Sequence, residues 1–406
     1  MRPLEGITVV ELSTFVAGPT AARLLAEWGA EVIKVEGLNG DPIRSVGGPS
    51  LNVPPELFQP GQDYVFDLTS ANKKYVALNV KTDEGRKLLL TLLEHADVFI
   101  TNYRNAALKA LGLTYEEIHE KLPRLIYGHI VGYGEKGPDK DRPGFDFTAF
   151  GARGGLVGSL HQKDGEPINN LNSFGDLQAG MCMAAGICAA ITGRCLHGNG
   201  ERVVVGLYNA AIYAASWALA SAQFGEQYPR SRKGDNLPFI NTYRGSDGVW
   251  MQMCVSEHDR YYQKVIALLG RPDLADDARY NTLSHVNECH TKAELSEIME
   301  AQFLTKPSQE WLALFTANDL TLEKAYTMNE ILEDEQAWAN DYLVRVQYHD
   351  GTEATYIPAP VQFADAGGLE FHPSRPLAAD NEVVFQRLGL DPNDLAELRE
   401  TGILPK

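Results

Sequence analysis

The sequence predicts an α/β protein, with a Rossmann-like parallel sheet in a large domain and a smaller α+β domain set into the chain. Three observations carry this. Short β-rich apolar runs alternate with helix-length stretches through the first half of the chain. Polar, glycine-containing loops close the strands. The composition then shifts near residues 225 and 330, in a chain of 406 residues that is longer than a usual single domain.

The first strand is the β-rich run at 7–12, followed by a loop through Pro19, a helix over 20–28 and a second strand over 30–36. This is the β-loop-α-β opening of a parallel sheet, whose ligands gather at the C-terminal strand ends. The first loop lacks G-x-G-x-x-G and offers only Ala17-Gly18-Pro19, which disfavours a dinucleotide. Residues 47–66 carry prolines at 49, 54, 55 and 60 and read as a long irregular loop. Asn72-Lys73-Lys74 precedes a third strand at 75–80, and a helix begins at Lys81 and runs to His95. A fourth strand at 97–102 ends in Asn102-Tyr103-Arg104. A fifth spans 125–131, a further one 202–207, and an Ala-rich helix 208–224.

The expected domains are therefore a large one over 1–225, a small one over 226–330, and a segment over 331–406 that returns to the large domain. The small domain starts with a hairpin-like pair at 241–244 and 249–255, then amphipathic helices at 259–269 and 306–317. The last segment holds a β-pair around Asp350-Gly351 and a helix over 380–388.

A formal net charge of −18 argues against nucleic-acid binding, so an anionic ligand has to be held by a few local cations and backbone N–H groups. The five cysteines form no C-x-x-C pair and are odd in number, which favours reduced thiols. Met1 to Gly6 leads directly into a strand, and apolar runs are interrupted before membrane-spanning length, so a soluble cytoplasmic protein is expected. Walker A, G-x-S-x-G and H-E-x-x-H motifs are missing, and the scattered histidines have no metal-ligand spacing. No metal is expected. His129, inside a strand, reads as a satisfied core or rim histidine.

One carboxylate stands out. Asp176 follows Gly175 at the mouth of AGMCMAAGICAAIT, an apolar, small-residue helix. An aspartate there is either an N-cap that satisfies orphan N–H groups, or a nucleophile or base that a neighbouring glycine leaves open to substrate.

The whole chain resembles the family III CoA-transferases of the CaiB/BaiF type. The resemblance is carried by ELSTFVAGPTAARLLAEWGAEVIKVE, NKKYVALNVKTDEGRKLL, TNYRNAALKALGLTYEEIHEKLPRLIYGHIVGYGEKGP, the Gly175-Asp176 junction and GLDPNDLAELRETGIL, in order. It implies that Asp176 attacks an acyl-CoA thioester, passing through an aspartyl anhydride and an aspartyl–CoA thioester. Gly175 and the helix-start N–H groups would serve the oxyanion. It also implies CoA contacts at Val16, Ala17, Asn72, Lys73, Asn102, Tyr103 and Arg104, with Lys73 and Arg104 on phosphates and Arg44 replacing a basic residue missing after the second strand. No tightly bound cofactor is implied, because the CoA thioester is a substrate.

The partners implied are an acyl-CoA, a small carboxylic acid and a second copy of the chain in an interlocked homodimer. The runs GYGEKGPDKDRPGFDFTAFGARGG and EDEQAWANDYL look most like enzymes that pass CoA between (R)-2-hydroxy acids, such as phenyllactate or 2-hydroxyisocaproate, and 2-enoyl- or arylacryloyl-CoA. Carnitine and bile-acid CoA-transferases remain alternatives, as does a non-catalytic acyl-CoA-binding protein. An α-methylacyl-CoA racemase is disfavoured, because Phe145 stands where those enzymes place a basic histidine and cannot carry a proton.

Overall fold

A computed structural model describes residues 1–59 and 62–405. The chain forms two compact units, the first comprising Met1–Leu156, Asn169–Leu219 and Glu335–Lys406, the second Val157–Ile168 and Ala220–Asp334.

The first unit is built on six parallel strands: β1 (Thr8–Leu12), β2 (Glu31–Glu36), β3 (Lys74–Ala77), β4 (Val98–Thr101), β5 (Ile126–Val131) and β6 (Arg202–Gly206). Their order is β3-β2-β1-β4-β5-β6, with Val9 opposite Val32 and Val98. This is the doubly wound order, and its topological switch point lies between β1 and β4. Alternate residues of the strands enter two cores. Val9, Val98 and Ile100 pack with Leu25, Met183 and Ile187 on one face; Val10, Ile33 and Phe99 pack with Leu89, Leu92 and Phe385 on the other. Burial on both faces is why these strands read as continuous apolar runs. Each fully buried large side chain contributes roughly 1.5–3 kcal/mol.

The helices that matter for the site are α1 (Ala17–Glu27), α2 (Ile43–Leu51), α3 (Tyr64–Ser70) and α4 (Phe174–His197). Residues 43–66 depart from the irregular loop expected over 47–66. They fold into α2, a 3₁₀ turn (Pro55–Leu57), two short paired strands (Phe58–Gln59 with Gln62–Asp63) and the start of α3; Pro60 lies outside the described residues. Packing overrides the proline signal. Gly47 and Gly48 are buried in α2, and the Phe58 ring sits where a side chain on Gly48 would go. The Ala-rich helix expected over 208–224 is broken into Leu207–Ala214 and Ser216–Ala222. The last segment closes the sheet edge: Asp380 and Asn381 accept the N–H groups of Tyr75 and Ala77 at 2.8 and 2.9 Å. An otherwise open edge strand is thereby satisfied. A helix at Pro392–Glu400 follows.

The second unit has a three-stranded antiparallel sheet of Ile240–Arg244, Trp250–Cys254 and Leu322–Lys324. Tyr243, Met251, Met253, Phe303, Trp311 and Phe315 form its core. The buried Trp311 indole donates to the Phe303 carbonyl at 2.8 Å, so its polar edge is satisfied.

Candidate active site

The loops after β1 and β4, at the switch point, wall a cavity of about 440 Å³. Phe15 and Val16 come from the first loop, Ala17 from the first residue of α1, and Asn102, Tyr103 and Arg104 from the second loop; Lys140, Arg142, Phe145 and Asp176 complete the lining used below.

The two loops are tied to each other. The Asn102 side chain accepts the Thr14 N–H at 3.0 Å and donates to the Thr14 carbonyl at 2.7 Å, so both ends of its amide are engaged. Phe15 has φ 62°, in the left-handed region that a bulky residue enters only when its surroundings hold it there. The Asp41 carboxylate does so by accepting the Phe15 N–H at 3.0 Å. Asp41 is in turn held by Lys34 at 2.9 Å, within a fully buried charge network in which Glu11 pairs with Lys34 at 2.8 Å and with Lys73 at 2.7 Å. Burial opposes the Glu11 charge, but the two lysines outweigh it and hold its carboxyl down at about 2.

Lys73, expected on a phosphate, is therefore part of the interior. Its ammonium donates to Glu11 and to the carbonyls of Pro19 and Thr69 at 2.7–2.8 Å, and burial pulls its pKa down to about 8. Asn72 is likewise spent: it donates to the Glu370 carbonyl at 2.9 Å and accepts the His372 N–H at 2.6 Å. Both residues precede a parallel strand, so they enter from the edge opposite the ligand loops. Arg44 does not face the cavity either. It makes a two-point pair with Glu36 at 2.7 and 2.8 Å and lies over the Phe66 ring.

Arg104, Lys140 and Arg142 supply the cavity's positive charge. All three are exposed. Among the described residues no carboxylate pairs with Arg104 or Lys140, and Arg142 has only Asp139 at 3.9 Å. Lys140 and Arg142 were not singled out from the sequence, because DKDR inside a loop is indistinguishable from a solvated charge run.

Asp176 lies in the first turn of α4 and lines the cavity, half-buried. It does not cap its helix. Asp146 does: one carboxylate oxygen accepts the N–H groups of Gly175 at 2.6 Å and Asp176 at 3.3 Å, and the other accepts from the Asn170 amide at 3.0 Å. The remaining first-turn donors are also used, Phe174 by the Leu171 carbonyl at 3.2 Å and Leu177 by that of Ser173 at 2.9 Å. The expectation that helix-start N–H groups stand ready for an oxyanion is corrected by this geometry. Gly175 has a different job from the one expected. It is buried, and the Phe150 ring occupies the space a side chain would need.

Among the described residues nothing donates a hydrogen bond to the Asp176 carboxylate. Burial, and then the negative charge of Asp146, push its pKa up to about 7. A carboxylate so placed is ionised in a sizeable fraction at neutral pH while keeping more basicity than an ordinary aspartate. Phe145 meets the Phe15 ring edge-on at 5.8 Å and adds no titratable group. His129 is buried in β5, donating through Nε2 to the Tyr103 carbonyl at 2.9 Å with Glu135 at 3.5 Å from Nδ1; burial lowers its pKa. It is a structural histidine that fixes the β4 loop.

A Rossmann-like sheet with an unpaired aspartate beside a cationic cavity at its switch point defines an enzyme that can act on an anionic ligand through a carboxylate. The particular family follows from likeness. The family model described as CoA-transferase family III matches residues 4–381, and the chain belongs to that family. It is 39% identical over 402 residues to the (R)-2-hydroxy-4-methylpentanoate CoA-transferase of Clostridioides difficile, covering 99% of each chain. To the cinnamoyl-CoA:phenyllactate CoA-transferase of Clostridium sporogenes it is 40% identical over 399 residues, covering 98% of this chain and 96% of that one. Among solved structures, the CAIB/BAIF family protein from Brucella suis superposes with a TM-score of 0.76 at 27% identity, over 95% of this chain and 99% of that one. The hypothetical protein Rv3272 from Mycobacterium tuberculosis gives 0.80 at 26% identity, over 94% and 99%. The resemblance read in the sequence is borne out, and the chain is a family III CoA-transferase enzyme.

Proposed function

We propose that the enzyme moves CoA from a 2-enoyl- or arylacryloyl-CoA to an (R)-2-hydroxy acid such as 2-hydroxyisocaproate or phenyllactate, with Asp176 as the covalent centre. The observation that carries this is the Asp176 carboxylate, free of hydrogen bonds, in one cavity with Arg104, Lys140 and Arg142. The cations suit the phosphates of CoA. Two relatives of about 40% identity that handle 2-hydroxy acids support the substrate class.

The reaction runs in two balanced halves. The Asp176 carboxylate attacks the thioester carbonyl, the C–S bond breaks, and CoA leaves as thiolate from a mixed anhydride. The thiolate attacks the aspartyl carbonyl, expels the donor acid as carboxylate and leaves an aspartyl–CoA thioester. The acceptor carboxylate then attacks that thioester, again releasing the thiolate into the site. Its attack on the acceptor's carbonyl in the second anhydride gives the new acyl-CoA and restores Asp176. Phe145 cannot carry a proton, so a racemase's histidine base is lacking at that position.

A homodimer is part of the proposal. Tyr213 and Trp217 are 80% and 91% exposed on consecutive helices, and Leu196 is 73% exposed at the end of α4. Such apolar surface suits cover by a second chain. α4 is long and apolar enough to cross a membrane by length and composition, in contrast to the interrupted apolar runs expected from the sequence. Its Met183, Ala184 and Ile187 nevertheless belong to the core under the sheet. We place the enzyme in the cytoplasm on that account.

The test is an exchange panel from one acyl-CoA donor, with phenyllactate, 2-hydroxyisocaproate, oxalate, carnitine and a bile acid as acceptors. Hydroxylamine trapping and mass spectrometry would locate the acyl-enzyme. Exchange at full rate by Asp176→Ala would overturn the mechanism, and a preference for carnitine, oxalate or a bile acid would overturn the substrate class.

A further inference from the structure

We propose that Asp146 is the positioning residue of the nucleophile: by binding the N–H groups that open α4, it keeps the Asp176 carboxylate out of the cap and free to attack. This rests on the reading of Asp176 as the covalent centre.

A helix start is an attractive place for any carboxylate, because its unpaired N–H groups and dipole stabilise negative charge. An aspartate in the first turn is drawn toward those donors, and one that accepts them becomes a weaker nucleophile as its lone pairs are taken up. Here the donors are already occupied. Asp146 accepts the N–H groups of Gly175 and of Asp176 itself, and Asn170 anchors its other oxygen at 3.0 Å. Asp146 is buried, whereas Asp176 lines the cavity. Phe150, from the same turn as Asp146, packs onto Gly175, so cap and helix start are held together by contact as well as by hydrogen bonds.

The arrangement has an electrostatic consequence. Around Asp176, the Asp139–Asp146 stretch contributes Asp146, Lys140 and Arg142, and the loop after β4 contributes Tyr103 and Arg104. The three cations are exposed to solvent, while Asp146 is buried against the same helix turn. Asp146 is thus the neighbour whose charge most strongly opposes ionisation of Asp176. A neutral cap should let Asp176 ionise at lower pH, whereas a missing cap should let Asp176 fold back onto its own helix.

The experiment uses the full chain and single-turnover release of CoA from an acyl-CoA, followed from pH 5 to pH 9. Asp146→Asn keeps an acceptor for the Gly175 N–H and removes the charge. Its rate profile should shift to lower pH by about one unit, with the rate at high pH retained within about tenfold. Asp146→Ala removes the cap. It should lose on the order of 100-fold in the chemical step with KM for the acyl-CoA little changed, and Asp146→Asn is then the conservative rescue. An unshifted profile in Asp146→Asn, or equal rates in the Asn and Ala variants, would overturn the proposal. Should Asp146→Asn not fold, Asn170→Ala, which frees the other oxygen of the cap, decides: a lowered chemical step at unchanged KM supports the assignment, and an unchanged rate refutes it. Asp176→Ala, run alongside, separates the two readings. Activity surviving in that variant removes Asp176 as the nucleophile, whereas an unshifted Asp146→Asn profile beside an inactive Asp176→Ala removes only the role of Asp146.

Discussion

The ionisation of Asp176 has a signature in stability that needs no substrate. The carboxyl titrates at about 7 in the folded protein, against an ordinary 3.8, because burial and Asp146 oppose its charge. At or below pH 3.8 it is protonated in both folded and unfolded chains. As pH rises from there the unfolded chain gives up its proton first, so the folded state loses stability until the folded carboxyl has also ionised, above about pH 7. Each pH unit across that window is worth about 1.4 kcal/mol, giving an upper bound of about 4 kcal/mol; the solvent-facing part of the side chain reduces this to roughly 2–4 kcal/mol. Asp176→Asn removes the ionisation and keeps the shape. It should stabilise the protein by that amount at pH 8 and by almost nothing at pH 4. With an unfolding entropy of about 2.1 cal/mol/K per residue, the larger unit would gain roughly 3–7 °C in Tm at pH 8. Calorimetry of both proteins at half-unit pH steps is the assay. Equal Tm values at pH 8, or a gain that does not change with pH, would refute the reasoning.

Other substitutions test the remaining assignments. Arg104→Ala, Lys140→Ala and Arg142→Ala should each raise KM for the acyl-CoA about 3–30-fold with kcat nearly unchanged, and salt should shrink the difference; steady-state kinetics at two ionic strengths decides this. Lys73→Ala should instead lower stability by about 3–5 kcal/mol, because it leaves Glu11 buried with one partner fewer. A urea melt measures that loss, and a KM effect at unchanged stability would return Lys73 to the ligand rim. Gly175→Ala should cost about 1–3 kcal/mol by driving a methyl into the Phe150 ring, and Phe150→Ala should cancel part of that cost in a double-mutant cycle.

The central strands were legible because they are buried on both faces and so write apolar runs into the sequence, as at residues 7–12 and 97–102. The second of these departs from the observed Val98–Thr101 only at its ends. Residues 47–66 were not legible: prolines dominate the local signal, while contact between Gly48 and Phe58 decides the outcome. At the site, Val16, Ala17, Asn102, Tyr103, Arg104 and Asp176 could be found because they follow strands or open an apolar helix, and all of them line one cavity. Lys73 could not be told from a ligand cation. Its burial depends on Glu11, far away in sequence, and a lysine beside an asparagine in a loop carries no mark of that pairing. Asp146 lies 29 residues before Gly175, and nothing in that spacing announces a cap.

Under the proposed mechanism the two roles considered for Asp176, cap and nucleophile, fall to two aspartates, with Asp146 taking the cap. A carboxylate that accepts two N–H groups at a helix end has its lone pairs taken up, and in Asp146 burial outweighs those hydrogen bonds and raises the pKa above the ordinary carboxylate value. A nucleophile for a thioester needs its lone pairs free, enough ionisation to react and enough basicity to form the new C–O bond. One residue in the first turn of α4 cannot meet both demands. With Asp146 in the cap, the helix start is satisfied by a group outside the cavity, and Asp176 is left to burial and to the charge of its neighbour. The same division makes the oxyanion the open demand of the site. The first-turn N–H groups of α4 are already bonded, so under the proposed mechanism the donors to the tetrahedral intermediate would come from the loops of the β1 and β4 strand ends or from the cavity's cations rather than from α4.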